Sequence, residues 1–268
     1  MRQQPEQQAP PVQRLRIRYA KRGRLRFTSH RDFSRAFERA VARARIPVAY
    51  SSGFNPHPRI SYAGAAPTGA ASEAEYVELG LREIVDPAAT KTALDEVMPD
   101  GLDLLDVVDT ATSPKGALAD LLTGSEWIID LPTTPEEAAA AVEAFLGAEE
   151  VIVSRMTKKG LREFDARGAV VRLASAPRET TVARSSGELA RPLAPSEGVT
   201  ARSAEGGSRL ELLLKHGTPT VRPDDVVTGL ERIGGLKVGP EHGGLPLLTR
   251  LSQGVFDEES GTIGDPLH

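Results

Sequence analysis

Six consecutive residues alternate without a break. Arg14, Arg16 and Arg18 stand on one parity, and Leu15, Ile17 and Tyr19 on the other. Side chains of a strand point to opposite faces in turn, so this pattern predicts a strand with one apolar and one cationic face. Lys21, Arg22 and Gly23 read as a turn, after which Arg24 and Arg26 alternate with Leu25 and Phe27. If both runs share a sheet, five arginines line its open face. A helix is expected next. Ser29 is a cap with Asp32 three residues on, and Phe33, Phe37, Ala40, Val41 and Ala44 recur at helical spacing. Arg31, Arg35, Arg39 and Arg43 recur every four residues on another side of the same helix, which Pro47 ends.

The arginines belong to a charge asymmetry that the overall net of −4 conceals. Residues 1–60 carry 14 Lys/Arg against three acids, a net of +11, while the other 208 carry 19 against 34, a net of −15. A basic end on an acidic body points to a polyanionic partner, nucleic acid above all. The aromatics Tyr19 and Phe27 share parity with the buried face, so the basic face is expected to have no stacking platform. Recognition of an RNA backbone or shape is then favoured over reading of single-stranded bases.

The stretch YSSGFNPHPRIS, residues 50–61, reads as a stiff loop. Gly53 permits a turn, Asn55 can bond its own backbone, and Pro56 and Pro58 hold His57 extended between them. Strands are expected near 59–64 and 74–81, a helix opened by Asp86 and Pro87, and a strand over 102–108. The order β-α-β-β-α-β is the ferredoxin-like plan. Similar elements follow: strands at 126–131, 151–156, 169–174, 210–214 and 245–251, with helices at 134–146 and 223–233. The expected class is α+β, two ferredoxin-like halves with antiparallel sheets. The expected boundaries are a disordered leader at 1–12, a basic domain at 13–110, a linker at 111–124, a second domain at 125–252 with a long loop at 176–206, and a flexible tail at 253–268. Lys158, Lys159 and Arg162 read as a small mixed-charge hairpin tip.

The chain has no cysteine, which excludes thiolate metal sites, a cysteine nucleophile and a cluster held by its own thiolates. No metal site is expected, since His30 and His57 lack a third ligand at metal-binding spacing. The glycine-rich phosphate loops and the serine nucleophile elbow are absent as motifs, and no cofactor is expected. No apolar run reaches the ~18 residues of a membrane span. No apolar signal core follows Met1, so a soluble cytoplasmic protein without a membrane role is expected. Glu73 and Glu75, in an expected strand, are expected to pair with arginines across the sheet.

The runs RFTSHRD (26–32), RA (39–40), PVAYSSGFNPHPRIS (47–61) and SEAEY (72–76) resemble the radical-SAM-linked proteins of bacteria. These are found beside or fused to a radical SAM protein. KKGLREFD (158–165) and RLS (250–252) extend the resemblance more thinly, and Arg31 stands where that family commonly has an apolar residue. The resemblance implies a partnership with a radical SAM protein encoded nearby. Lacking cysteine, this chain is not the radical enzyme, but it can hold a macromolecular substrate such as tRNA or rRNA. A topological likeness to the CRISPR repeat-processing endonucleases of the RAMP type is an analogy of fold alone.

The leading expectation is a non-catalytic RNA-binding accessory protein. Its contacts would be Arg14, Arg16, Arg18, Arg24, Arg26, His30, Arg31, Arg35, Arg39, Asn55, His57 and Arg59. The alternatives are a metal-independent endoribonuclease using His57 or His30 as general acid or base, and an adaptor that docks an acidic protein.

Overall fold

The computed structural model describes residues 7–157, 160–177 and 207–268, and the chain divides into two compact units. The first comprises Met1–Leu122 with Ser252–Val255 and Gly264–His268, and the second Thr123–Leu251 with Phe256–Ile263.

In the first unit the elements run β1 (Gln13–Lys21), α1 (His30–Arg43), β2 (Ile60–Ala63), β3 (Ala71–Leu81), α2 (Pro87–Asp95) and β4 (Leu104–Asp109). β1 is central, antiparallel to β3 on one side and β4 on the other, and β2 pairs antiparallel with β3. Register places Leu15 opposite Leu79 and Ile17 opposite Val77. These join Phe33, Phe37 and Val41 of α1, Leu94 of α2 and Leu104 of β4 in one aliphatic and aromatic core. Asp86 caps α2 by accepting from Ala89 N at 2.9 Å, with Pro87 in the first turn, as its sequence predicts.

Several expectations for this unit are corrected. Arg24 and Arg26 lie on no strand. Gly23–Phe27 closes into a 3-10 turn, with Leu25 N donating to Arg22 O and Thr28 N to Leu25 O. The segment is short, begins at a glycine with φ of 53° and satisfies its N–H groups locally, so it has no ladder to join. Phe27 therefore loses the parity that would have buried it.

Nor is the arginine face of β1 open. Ala63, Ala74 and Tyr76 on that side pack with Leu118, Leu122 and Leu267. The expected linker thus supplies core residues. The expected flexible tail is structured: the strand that begins at Leu247 runs on to Asp257, Tyr76 Oη donates to Gln253 O at 3.0 Å, and Leu267 is buried. Of the expected disordered leader, the described part is tied down, with Val12 N donating to Leu81 O at 2.8 Å.

The second unit runs β5 (Gly124–Leu131), α3 (Pro135–Gly147), β6 (Ile152–Thr157), β7 (Gly160–Asp165), β8 (Val170–Pro177), β9 (Ser208–Lys215), α4 (Pro223–Gly234) and β10 (Leu247–Asp257). β9 pairs antiparallel with β5 and with β8. Thr134 and Glu137 form the capping box that the sequence predicts for α3. Apart from β6 and β7, the elements run β5-α3-β8-β9-α4-β10, with neighbouring strands in the order β10-β5-β9-β8. β6 and β7 form a separate two-stranded ribbon, and β7 went unread because only Phe164 of GLREFD is buried. Lys158 and Lys159, and the loop expected at 176–206 beyond Pro177 and before Gly207, lie outside the described residues.

Candidate nucleic-acid interface

Helix α1 is built to expose arginine. Ser29 Oγ accepts from Asp32 N at 3.2 Å and donates to Asp32 Oδ2 at 2.7 Å, which fixes the first turn. Phe33, Phe37, Ala40 and Val41 anchor one side, with Phe33 stacked on Tyr19 at 4.1 Å between ring centroids. Arg31, Arg35, Arg39 and Arg43 are all exposed on the remaining surface. Each step of four residues rotates by ~40° and rises ~6 Å, so the four form a slowly turning ladder about 18 Å long. None of them makes an ion pair or side-chain hydrogen bond among the described residues.

The arginines of β1 are placed differently. Arg16 is only 3% exposed. Its Nε meets Glu78 Oε2 at 3.3 Å, and its two terminal nitrogens donate to the carbonyls of Pro114 (2.8 Å) and Gly116 (2.6 Å). Arg14 Nη1 lies 3.0 Å from Glu78 Oε1, and Arg18 Nη1 lies 3.5 Å from Asp265 Oδ2. Arg22 donates from Nε to Glu73 (2.7 Å) and from Nη1 to Asp103 (2.7 Å), and the Glu73 hydrogen bond, above all, raises its pKa. Glu73 thus pairs with an arginine as expected. Glu75 accepts from Ala66 N at 3.2 Å. Glu73, Glu78, Asp103 and Asp265 pair with Arg14, Arg16, Arg18 and Arg22, and no described acid pairs with the helix ladder.

The loop at 50–59 is closed on itself. Ser51 N donates to His57 O (2.8 Å), His57 N to Ser51 Oγ (3.0 Å), and Arg59 N to Ala49 O (2.7 Å), while Arg59 Nε donates to Tyr50 O (3.2 Å). Gly53 has a φ of +127°, a conformation that favours glycine, and there the backbone rather than crowding demands it. The tip presents Phe54, Asn55, Pro56 and His57 to solvent. The His57 ring makes no hydrogen bond among the described residues, although its main chain makes two.

His30 opens α1 and is exposed, with its ring 4.9 Å from that of Tyr62 in β2, edge to face. Burial, the largest influence on Tyr62, pushes its phenol above the ordinary value. No contact joins His30 to His57, and neither is paired with a carboxylate among the described residues. Among the described residues no group of three or more His, Asp or Glu side chains is placed to hold a metal ion. Nor is any described helix long and apolar enough to cross a membrane.

Sequence reasoning missed the aromatic side chains of this surface. Phe27 is 58% exposed, with the Arg26 guanidinium 4.5 Å above its ring centre. Tyr50 is 43% and Phe54 70% exposed. For Phe54 a signal was present: it sits between Gly53 and Asn55-Pro56, in a loop with no apolar periodicity to bury it.

The model of a family described as "Uncharacterized protein conserved in bacteria (DUF2344)" matches residues 14–192. The chain belongs to that family. The DUF2344 match takes in the strand arginines, the α1 ladder and the proline-flanked loop, and its description names neither a reaction nor a partner. No curated protein matches the chain.

Proposed function

We propose that the chain is a non-catalytic RNA-binding accessory protein that works with a radical SAM enzyme in RNA modification. The observation that carries the binding half is the α1 ladder: Arg31, Arg35, Arg39 and Arg43, exposed and without acidic partners among the described residues. Guanidinium groups so spaced match successive phosphates and can bind each one through two parallel hydrogen bonds. Arg24 and the loop residues Asn55, His57 and Arg59 extend the surface. Arg14, Arg16 and Arg18 hold the sheet together through their carboxylate partners and contribute less. The strand order β4-β1-β3-β2 of the first unit supports a ferredoxin-like reading of that unit. The radical SAM partnership rests on the sequence resemblance, and on the absence of cysteine, which leaves cluster chemistry to another chain.

A second reading is a metal-independent endoribonuclease. It is favoured by the unengaged, exposed ring of His57 on a stiff loop. It ranks below binding because no carboxylate among the described residues orients either histidine.

Titration of the full chain with labelled tRNA and rRNA fragments, with EDTA present, separates the readings. If each ladder arginine neutralises one phosphate, log K falls with log salt at a slope of about −2.8. Affinity then drops about fiftyfold between about 50 and 200 mM salt. Intact RNA with that salt dependence supports the accessory binder. Cleaved RNA promotes the nuclease, and no binding at low salt leaves the basic face to an acidic protein.

A further inference from the structure

The most exposed aromatic rings among the described residues are Phe27, Tyr50 and Phe54, and all three flank the arginine helix in the chain. Phe27 lies two residues before the Ser29 cap. Tyr50 and Phe54 follow Arg43 in the loop whose hydrogen bonds close it below the tip. Elsewhere in the chain aromatic side chains serve the core: Phe33, Phe37, Tyr76, Trp127 and Phe145 are all buried. A phenylalanine left in water forgoes the stabilisation that burial gives, and the closed loop does not need Phe54 for its shape.

Exposed rings close in sequence to arginines that make no ion pair among the described residues are the combination that unpaired bases require. The arginines track the backbone, and each base stacks on a ring or a guanidinium plane. Arg26 over Phe27 is already such a stack, which a base can extend. A paired duplex has its bases stacked on one another and offers these rings nothing.

We infer that the RNA taken by this surface is single-stranded, with unpaired bases stacked on Phe54 and on the Arg26–Phe27 pair while the α1 arginines follow the phosphates. The inference rests on the RNA-binding reading above and replaces the expectation of backbone or shape recognition with base stacking.

The test compares a labelled single-stranded oligoribonucleotide of mixed sequence with the fully paired duplex containing it. Each is titrated by fluorescence anisotropy against the full chain and against F27A, F54A, F54W and an R35E/R39E pair. The single strand is expected to bind at least about tenfold tighter than the duplex. F54A is expected to lose about tenfold on the single strand and nothing on the duplex, F27A to lose a similar factor, and F54W to keep the affinity. Equal binding of strand and duplex, or phenylalanine variants without effect while R35E/R39E removes binding, overturns the stacking inference and leaves the charge-based reading standing. Absence of binding to either RNA at low salt overturns both.

Discussion

Arg16 and Glu78 are register partners across β1 and β3, and their side chains meet at 3.3 Å with the guanidinium almost fully enclosed. Glu78 also receives Arg14 at 3.0 Å, so one carboxylate neutralises two of the three alternating arginines of β1. Removing Glu78 strands a buried cation. The expected cost of Glu78→Ala is about 3 kcal/mol in urea unfolding, while Arg14→Ala, at the solvent end of the same cluster, costs under about 1 kcal/mol. Equal costs would show that the pairing does not organise this face.

Asp165 gives a pH signature. Burial works to raise its pKa, but the main-chain N–H groups of Val151 (2.8 Å), Arg167 (2.8 Å) and Gly168 (2.9 Å) outweigh burial and hold it below the ordinary value. A carboxylate lowered in the folded state stabilises fully above its unfolded pKa of about 3.9, and that contribution is lost as pH falls through the lowered value. Asp165→Ala should destabilise by about 1–3 kcal/mol at neutral pH, since three donors lose their acceptor. The gap to the unsubstituted chain should close as pH drops below about 4. A gap that stays constant through that range would contradict the assignment.

Gly234 lets α4 lie against α3. A Cβ there would sit 2.5 Å from Ala141 Cα and 2.9 Å from Ala141 O, both backbone atoms that cannot step aside. Gly234→Ala should cost about 1–3 kcal/mol in thermal unfolding. Gly147→Ala, where nothing lies within 4 Å, should be neutral or slightly stabilising. Two silent substitutions would mean that the helices do not pack this closely.

The local patterns of the sequence were legible where one physical preference ruled. The alternation of 14–19, the caps at Ser29, Asp86 and Thr134, and the apolar stripe of α1 each gave an element of the right type. Failures came where a short segment had two outlets. Residues 24–27 alternate like a strand, yet a turn beginning at Gly23 satisfies them without a partner. Residues 114–122 and 264–268 look like linker and tail because neither stretch is long enough to show a helical or strand period. Leu118, Leu122 and Leu267 nevertheless complete a core whose other half is distant in sequence. The same limit applied to the candidate site. Both arginine sets have clean periodicity, but which set keeps its charge depends on where Glu73, Glu78 and Asp265 arrive, and that is a property of the folded sheet.

The central claim is that the α1 ladder, rather than positive charge at large, binds RNA. It is tested most directly by measuring affinity for tRNA at low salt in two variants of equal charge change. One carries Arg35→Glu and Arg39→Glu on the exposed ladder. The other carries Arg162→Glu and Arg172→Glu, at exposed positions of β7 and β8. The account expects the first variant to lose at least about a hundredfold and to flatten the salt dependence, with the second within about threefold of the unsubstituted chain. Equal losses in both, or an unchanged affinity in the ladder variant, would contradict it.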